Sequence, residues 1–321
     1  MPVAVSQVGI VIVTHNNEVD LTRCLDAIQS NALGAQVVVR DCASTDHSVE
    51  VAKRHPVVST VIAGPNVGFG AGCNDAVRSF ELPPKMILIL NPDTAIDFAL
   101  ADLLLHVEQY DNFGCASVMQ MSFDHRLVWS WDNFPSPRLE WQKARDLPLL
   151  QRSPAGYSRD RTVDWVMGAL LLIPYDAFIA MDGFDEHFFM FNEEVDLCHR
   201  LNDAGLSTHY INRFRYLHDR SNKDTLWREV LRINSRRKYD RKWLSRSAML
   251  SCQLAQSYRW SKQLFKPIKP SDRRLAVPRL LATWGLIQSL VPAPADSATR
   301  DTWASVQFLG FTPASDDRCR I

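Results

Sequence analysis

Between residues 8 and 90, short β-branched and aliphatic runs alternate with longer amphipathic stretches. Residues 8–13 read as a strand, 21–30 as a helix, 36–40 as a strand and 48–54 as a helix start. Residues 57–63 follow as a strand, 71–80 as a helix and 86–90 as a buried strand. Period-2 runs exchanging with period-3.6 stretches at this spacing predict βαβ units and a parallel sheet. Such sheets bind ligands beyond the carboxyl ends of their strands. The loops there are 14–17, 41–46, 64–72 and 91–93, all polar and rich in short hydrogen-bonding side chains. Their convergence is the first functional hint.

The pattern weakens over residues 122–164, a Trp-, Pro- and Arg-rich stretch that reads as an irregular insertion. An apolar run returns at 165–173, and residues 227–246 look helical and basic, with a weaker pattern after Pro267. There is no internal repeat and no low-complexity segment. Hydrophobic residues make up 46% and charged residues 22%, which excludes a disordered, collagen-like or disulfide-stapled chain. Lys plus Arg equals Asp plus Glu at 36 each, so a generally basic nucleic-acid binder is excluded. The distribution is uneven: residues 1–212 carry 14 basic and 27 acidic side chains, residues 213–279 carry 19 and 5. The basic region either neutralises the acidic half or meets an external anion.

Seven scattered cysteines without a CxxC pair read as reduced thiols of a cytosolic protein. The first strand begins without a basic leader, which argues against a signal peptide. The longest apolar stretch, 280–291, is interrupted by Gln288 and falls short of the roughly 18 residues that a membrane span needs.

Three segments carry candidate chemistry. Asn91-Pro92-Asp93 follows the apolar strand 86–90, where a carboxylate can hold a divalent cation against a diphosphate; the same tripeptide also forms turns and helix caps. Glu193, Glu194 and Asp196 cluster after an aromatic run. At about 100° per residue they cannot share one helix face. They read either as dipole-favouring residues of a helix start or as a general base with its neighbours. His218 stands alone and reads as structural or as a ligand. Gly68–Gly72 has the look of a dinucleotide loop, but Cys73 takes the third glycine position, so a Rossmann cofactor site is a weak reading.

In order and spacing these segments resemble the inverting family 2 glycosyltransferases, particularly their bacterial rhamnosyltransferase-like branch, over residues 8–245. The family's opening Thr-x-Asn turn corresponds to Thr14-His15-Asn16, and its Asp-Asn-x-Ser-x-Asp loop to Asp41–Asp46. Its Asn-x-Gly-Phe segment corresponds to Asn66–Phe69, with Asn74 as the second asparagine. Asn91-Pro92-Asp93 stands at the metal motif, and Trp165–Ala169 and Gly183–Glu186 at the acceptor-side segments. Residues 191–197 match Glu-Asp-x-Asp-Leu, followed by Arg200, and His218 matches the late metal-site histidine. Cys42 replaces the usual asparagine, Glu194 stands where aspartate is usual, and Asp93 is the single acid of its motif.

The resemblance implies an α/β GT-A fold, a Rossmann-like, mostly parallel sheet flanked by helices. The catalytic domain would span 1–225, with a nucleotide-sugar half (1–120) and an acceptor half (121–225), followed by a basic, mostly helical region at 226–321. It implies transfer of a sugar, L-rhamnose from dTDP-L-rhamnose, from a dTDP or UDP donor to a glycan or lipid-linked acceptor in bacterial surface polysaccharide synthesis. Glu194 would be the base; Thr14, Asn16, Asp41, Asn66, Asn74 and Asp93 would bind the donor. Trp165, Gly168, Glu193, Asp196 and Arg200 would serve the acceptor side, and Asp93 with His218 would hold Mg²⁺ or Mn²⁺. The basic segment 228–246 either contacts the inner face of the cell membrane or balances the acidic half. Two other readings share these features: a sugar nucleotidyltransferase, and a catalytically inactive glycan- or nucleotide-binding module. Residues 14–17 lack the Gly-rich, Arg- and Lys-bearing loop of the former.

Overall fold

The computed structural model describes residues 3–218, 226–265, 270–289 and 307–308. In chain order the sheet-building elements of the first half are β1 (Val8–Thr14), α1 (Glu18–Asn31), β2 (Gln36–Cys42), α2 (Ser48–Arg54) and β3 (Thr60–Gly64). Then come α3 (Phe69–Arg78), β4 (Met86–Leu90), β5 (Thr94–Ile96), α4 (Leu100–Val107) and β6 (Phe113–Met121). The middle holds β7 (Trp131–Asp132), α5 (Pro137–Ala144), β8 (Arg161–Val163), β9 (Trp165–Val166), β10 (Leu170–Pro174) and α6 (Tyr175–Ala180). The chain continues with α7 (Glu193–Asp203), β11 (Ser207–His218), α8 (Leu226–Trp243), α9 (Arg246–Phe265), α10 (Pro270–Thr283), β12 (Ile287–Ser289) and β13 (Gln307–Phe308).

The main sheet runs β3-β2-β1-β4-β10-β6-β11-β5, with β8 added against β11. Its first four strands are parallel; β10 is antiparallel to both β4 and β6, and β11 is parallel to β6. Every residue of β1 and β4 is buried, as expected for strands covered on both faces. Alternate residues divide between two cores. Val8, Ile10, Ile12, Leu88 and Leu90 pack with Leu21, Cys24, Leu25 and Ile28 of α1, whose i, i+3, i+4, i+7 spacing presents one face. Val11, Val13, Ile87 and Ile89 pack on the other side with Cys73, Ala76 and Val77 of α3 and Leu197 and Leu201 of α7. The α/β class and the GT-A arrangement stand, with a sheet that is parallel on one side and mixed on the other.

The chain divides into two compact units: residues 1–134, 148–189 and 193–222, and residues 135–147, 190–192 and 223–321. Within the stretch expected to be irregular, α5 is a true helix belonging to the second unit. Ser136 caps it by accepting from the Leu139 N–H, and Pro137 occupies its first turn. The sequence pattern hides α5 because Glu140 lies on its buried face. There Arg236 of α8 meets Glu140 at 3.2 Å and Asp240 at 2.7 Å. Burial raises the Glu140 carboxyl most, yet Arg236 and Lys143 outweigh it and hold the group below its usual range. Within the basic segment, Arg236 is therefore an internal counter-ion. A second buried pair, Arg279 to Glu229 at 2.8 Å, ties α10 to α8.

The apolar stretch 280–291 is split between the end of α10 and β12, and its last two residues lie outside the described ones. Among the described residues, no helix is long and apolar enough to cross a membrane. Cys24, Cys42, Cys73, Cys115, Cys198 and Cys252 are free and buried; Cys319 lies outside the described residues.

Candidate active site

The carboxyl ends of β1 and β2 lie side by side, with Thr14 paired opposite Asp41. The loops that follow are laced together: the Asn16 N–H donates to Ser44 Oγ at 2.9 Å, and Asn16 Oδ1 accepts from the Thr45 N–H at 2.7 Å. Asn16 sits at a φ of +55°, a conformation that asparagine tolerates better than most residues. Asp41 Oδ1 accepts from the Ser44 N–H at 3.0 Å, closing a local turn. Its Oδ2 and the Thr14 hydroxyl are buried and have no hydrogen-bond partner among the described residues. Buried polar atoms left over at a strand edge are what a ligand-binding floor requires.

Asn66 Oδ1 accepts from the Gly68 N–H at 3.1 Å at the entrance to α3. Gly68 has a φ of +90°, and a Cβ there would stand 2.2 Å from the Phe189 carbonyl oxygen, so no other residue fits. Asn74 is turned inward. Its Nδ2 donates to the Phe184 carbonyl at 2.8 Å and to Glu186 Oε1 at 3.1 Å, and its Oδ1 accepts from the Phe184 N–H at 2.9 Å. The whole amide is engaged in holding the 183–186 loop.

At the end of β4, the Asn91 N–H donates to the Ala169 carbonyl at 3.0 Å, and Thr94 Oγ1 closes the turn onto the Asn91 carbonyl at 2.7 Å. This turn aims Asp93 at β11, where His218 pairs with Thr94. Asp93 Oδ1 and His218 Nε2 are 3.2 Å apart, with both side chains about 10% exposed. A carboxylate oxygen and an imidazole nitrogen converging in a nearly buried site suit a divalent cation that keeps its other positions for phosphate oxygens and water. Among the described residues no third His, Cys, Asp or Glu joins them.

α7 brings the acidic cluster to the same edge. Phe191 and Asn192, just before it, adopt φ values of +69° and +68°. Two consecutive left-handed non-glycine residues store backbone strain of a kind concentrated at functional sites. The three acids then separate by environment. Glu193 is buried at 4% exposure, its Cβ lies against Gly70, and its Oε2 has no hydrogen-bond partner among the described residues. Burial, then the neighbouring Glu194, push its carboxyl well above the usual range, which favours its neutral form. Glu194 is half-buried and lies along Gly168: a Cβ on that glycine would be 3.4 Å from Glu194 Cβ and 3.7 Å from its carboxyl carbon. Asp196 is fully buried and bonded to Arg200 Nε at 2.8 Å, while Arg200 also donates to the Met181 carbonyl. That pair anchors α7.

Trp165 donates from Nε1 to the Asn133 carbonyl at 3.0 Å and stands edge-on to Trp129, over which the exposed Arg152 guanidinium stacks at 4.0 Å. Trp129 and Arg152 lie in the irregular stretch, where no pattern in the sequence picks them out. Gln120 was also missed. It is fully buried and touches His218 from β6, and its only trace in sequence is a polar residue inside an apolar strand.

A strand-edge floor, an acid–imidazole pair and a half-buried carboxylate thus meet in one unit. Residues 9–164 match the family model described as Glycosyl transferase family 2. The chain carries a family 2 glycosyltransferase domain. That match spans the β1 and β2 loops and Asp93; Glu194 and His218 lie beyond its end. The chain is 27% identical over 227 residues to rhamnosyltransferase WbbL of Escherichia coli K12, covering 66% of this chain and 83% of that protein. It is 26% identical over 238 residues to an N-acetylglucosaminyl-diphospho-decaprenol L-rhamnosyltransferase of Mycobacterium tuberculosis H37Rv, covering 66% of this chain and 76% of that one. Among solved structures, mannosyltransferase PcManGT from Pyrobaculum calidifontis, in complex with GDP-Man and Mn²⁺, aligns with a TM-score of 0.52 at 14% identity, covering 86% of this chain and 69% of that one. GalNAc-T7 with UDP, GalNAc and Mn²⁺ aligns at 0.51 and 13% identity, over 66% of this chain and 42% of that one. Identities this low speak for the fold alone.

Proposed function

We propose that the glycosyltransferase domain moves L-rhamnose from dTDP-L-rhamnose onto a hydroxyl of a lipid-linked glycan, with inversion, at the inner face of a bacterial cell membrane. The carrying observation is the placement of two acids of different character at one strand edge. Glu194 lies half-buried along Gly168; the next residue, Ala169, bonds Asn91, two residues before Asp93. The names of the rhamnosyltransferase relatives support the sugar and the lipid-diphosphate acceptor.

In this reading the pyrimidine settles on Thr14 and Asp41, whose unpartnered Oδ2 accepts from a ring N–H. Asn16 and Asn66 shape the loops around the nucleotide. Glu194 removes the proton from the acceptor hydroxyl as its oxygen bonds to the anomeric carbon, while the bond from that carbon to the diphosphate breaks on the opposite face. Burial favours the neutral form of Glu193, which limits the negative charge beside the base. Trp165 offers an aromatic wall to the acceptor. Asp93 and His218 are the residues that would hold Mg²⁺ or Mn²⁺, and a cation there would neutralise charge on the leaving diphosphate.

A melting-temperature screen against nucleotides, with and without Mn²⁺, tests the donor class. Stabilisation by dTDP or UDP sugars that grows with Mn²⁺ is the expected result. A response to nucleoside triphosphates alone would favour a sugar nucleotidyltransferase, and no response at all an inactive module.

Membrane contact would fall to Lys238, Arg241, Lys242 and Arg246 of the basic segment 228–246, all exposed; Arg232, also exposed, is paired with Glu229. Each charge gains about 1 kcal/mol at an anionic bilayer. Replacing all four with Gln should abolish co-sedimentation with anionic vesicles at low salt, and salt alone should weaken it in the wild type. A wild-type protein that ignores such vesicles would remove the membrane from this reading and leave the transferase intact.

A further inference from the structure

Behind His218 runs a buried chain of polar groups. β6 and β11 are parallel, with Tyr216 opposite Gln120. Tyr216 and His218 are two residues apart on one strand and so point to the same face. The Gln120 amide bridges them: the Tyr216 hydroxyl donates to Oε1 at 2.8 Å, and Nε2 lies 2.9 Å from His218 Nδ1. Gln120 and Tyr216 have no exposure and His218 only 8%. On the other side of the ring β5 brings Asp93 to Nε2. Strand register alone therefore holds the imidazole between an amide and a carboxylate.

The direction of this chain decides what the ring can do. An amide NH₂ only donates, so as arranged here Nδ1 accepts and a neutral ring carries its proton on Nε2, towards Asp93. With that proton in place Nε2 has no lone pair for a cation. Ligation through Nε2 requires the proton on Nδ1, which in turn requires Gln120 to present Oε1. Turned over, the amide directs Nε2 at the Tyr216 oxygen, which accepts as readily as it donates. The amide keeps both of its bonds in either orientation. The ring proton moves from Nε2 to Nδ1 by exchange with solvent, and no net proton is gained or lost.

We propose that Gln120, backed by Tyr216, is a positioning residue that sets the His218 tautomer, its amide turning over when a divalent cation binds between His218 and Asp93. The proposal rests on reading those two residues as cation ligands. Its test is spectroscopic. In ¹⁵N-histidine-labelled protein, long-range proton–nitrogen correlation should show His218 protonated on Nε2 without metal and on Nδ1 with Mg²⁺ and dTDP; the H218A variant assigns the signals. Gln120→Met should lower Mn²⁺ affinity, read by electron paramagnetic resonance, about 10–100-fold. Its melting temperature should fall, because the buried Tyr216 hydroxyl loses its acceptor, while metal-free nucleotide binding stays near wild type. An unchanged tautomer in protein that demonstrably binds Mg²⁺ overturns the proposal, as does wild-type Mn²⁺ affinity in Gln120→Met. Failure of the wild type to bind either cation in the presence of dTDP removes the ligand reading itself, and this proposal with it. Should Gln120→Met not fold, the wild-type spectra decide alone.

Discussion

Glu194→Gln should lower turnover about 10²–10⁴-fold, the range that general-base catalysis supplies, while the affinity for the nucleotide sugar stays as it was. The amide keeps the shape of the side chain along Gly168 and loses only the ability to take the acceptor's proton. Glu193→Gln is the control. Burial in a niche against Gly70 favours the neutral form of Glu193, so an amide of the same shape should be tolerated there. Turnover measured on both variants separates the neighbours. A healthy Glu194→Gln beside an inactive Glu193→Gln would reverse the assignment.

Asp93→Asn and His218→Ala should each weaken metal-dependent donor binding, by about 10-fold or more, and reduce turnover at a fixed Mn²⁺ concentration. The reasoning is electrostatic. Asp93 contributes the negative charge of a two-residue donor set, and His218 its nitrogen; with both side chains nearly buried, bulk water does not replace the loss cheaply. Titration of Mn²⁺ against a fixed concentration of dTDP-sugar measures the effect. Metal-free nucleotide binding through Thr14 and Asp41 should be unaffected, because those residues stand at the ends of β1 and β2. Unchanged metal titrations in both variants would remove the pair from the site.

The first half of the chain was legible for a physical reason. β1, β2 and β4 are covered on both faces, so they appear as uninterrupted apolar runs, and the polar loops at their ends stand out against them. Helix α5 was not legible, because Glu140 faces inward and breaks the apolar period; its cationic partners, Lys143 and the sequence-distant Arg236, make that burial tolerable. The length of β11 is hidden in sequence, because Arg213 and Arg215 punctuate its apolar run and a bulge falls between Ile211 and Arg215. Within the site, Glu193 and Glu194 are indistinguishable as letters. They part only when α7 turns one towards Gly70 and the other along Gly168. Gln120 and His218 are 98 residues apart, and nothing local announces their contact.

The most direct test of the central claim is the anomeric configuration of the product. Wild-type protein is incubated with dTDP-β-L-rhamnose, Mn²⁺ and a short lipid-diphosphate-linked glycan, and the product is examined by mass spectrometry and by NMR of the new glycosidic bond. Attack assisted by Glu194 from the face opposite the diphosphate predicts one added rhamnose in the α configuration, and its disappearance in Glu194→Gln. A β-linked product, or full transfer by the Glu194→Gln variant, would contradict it.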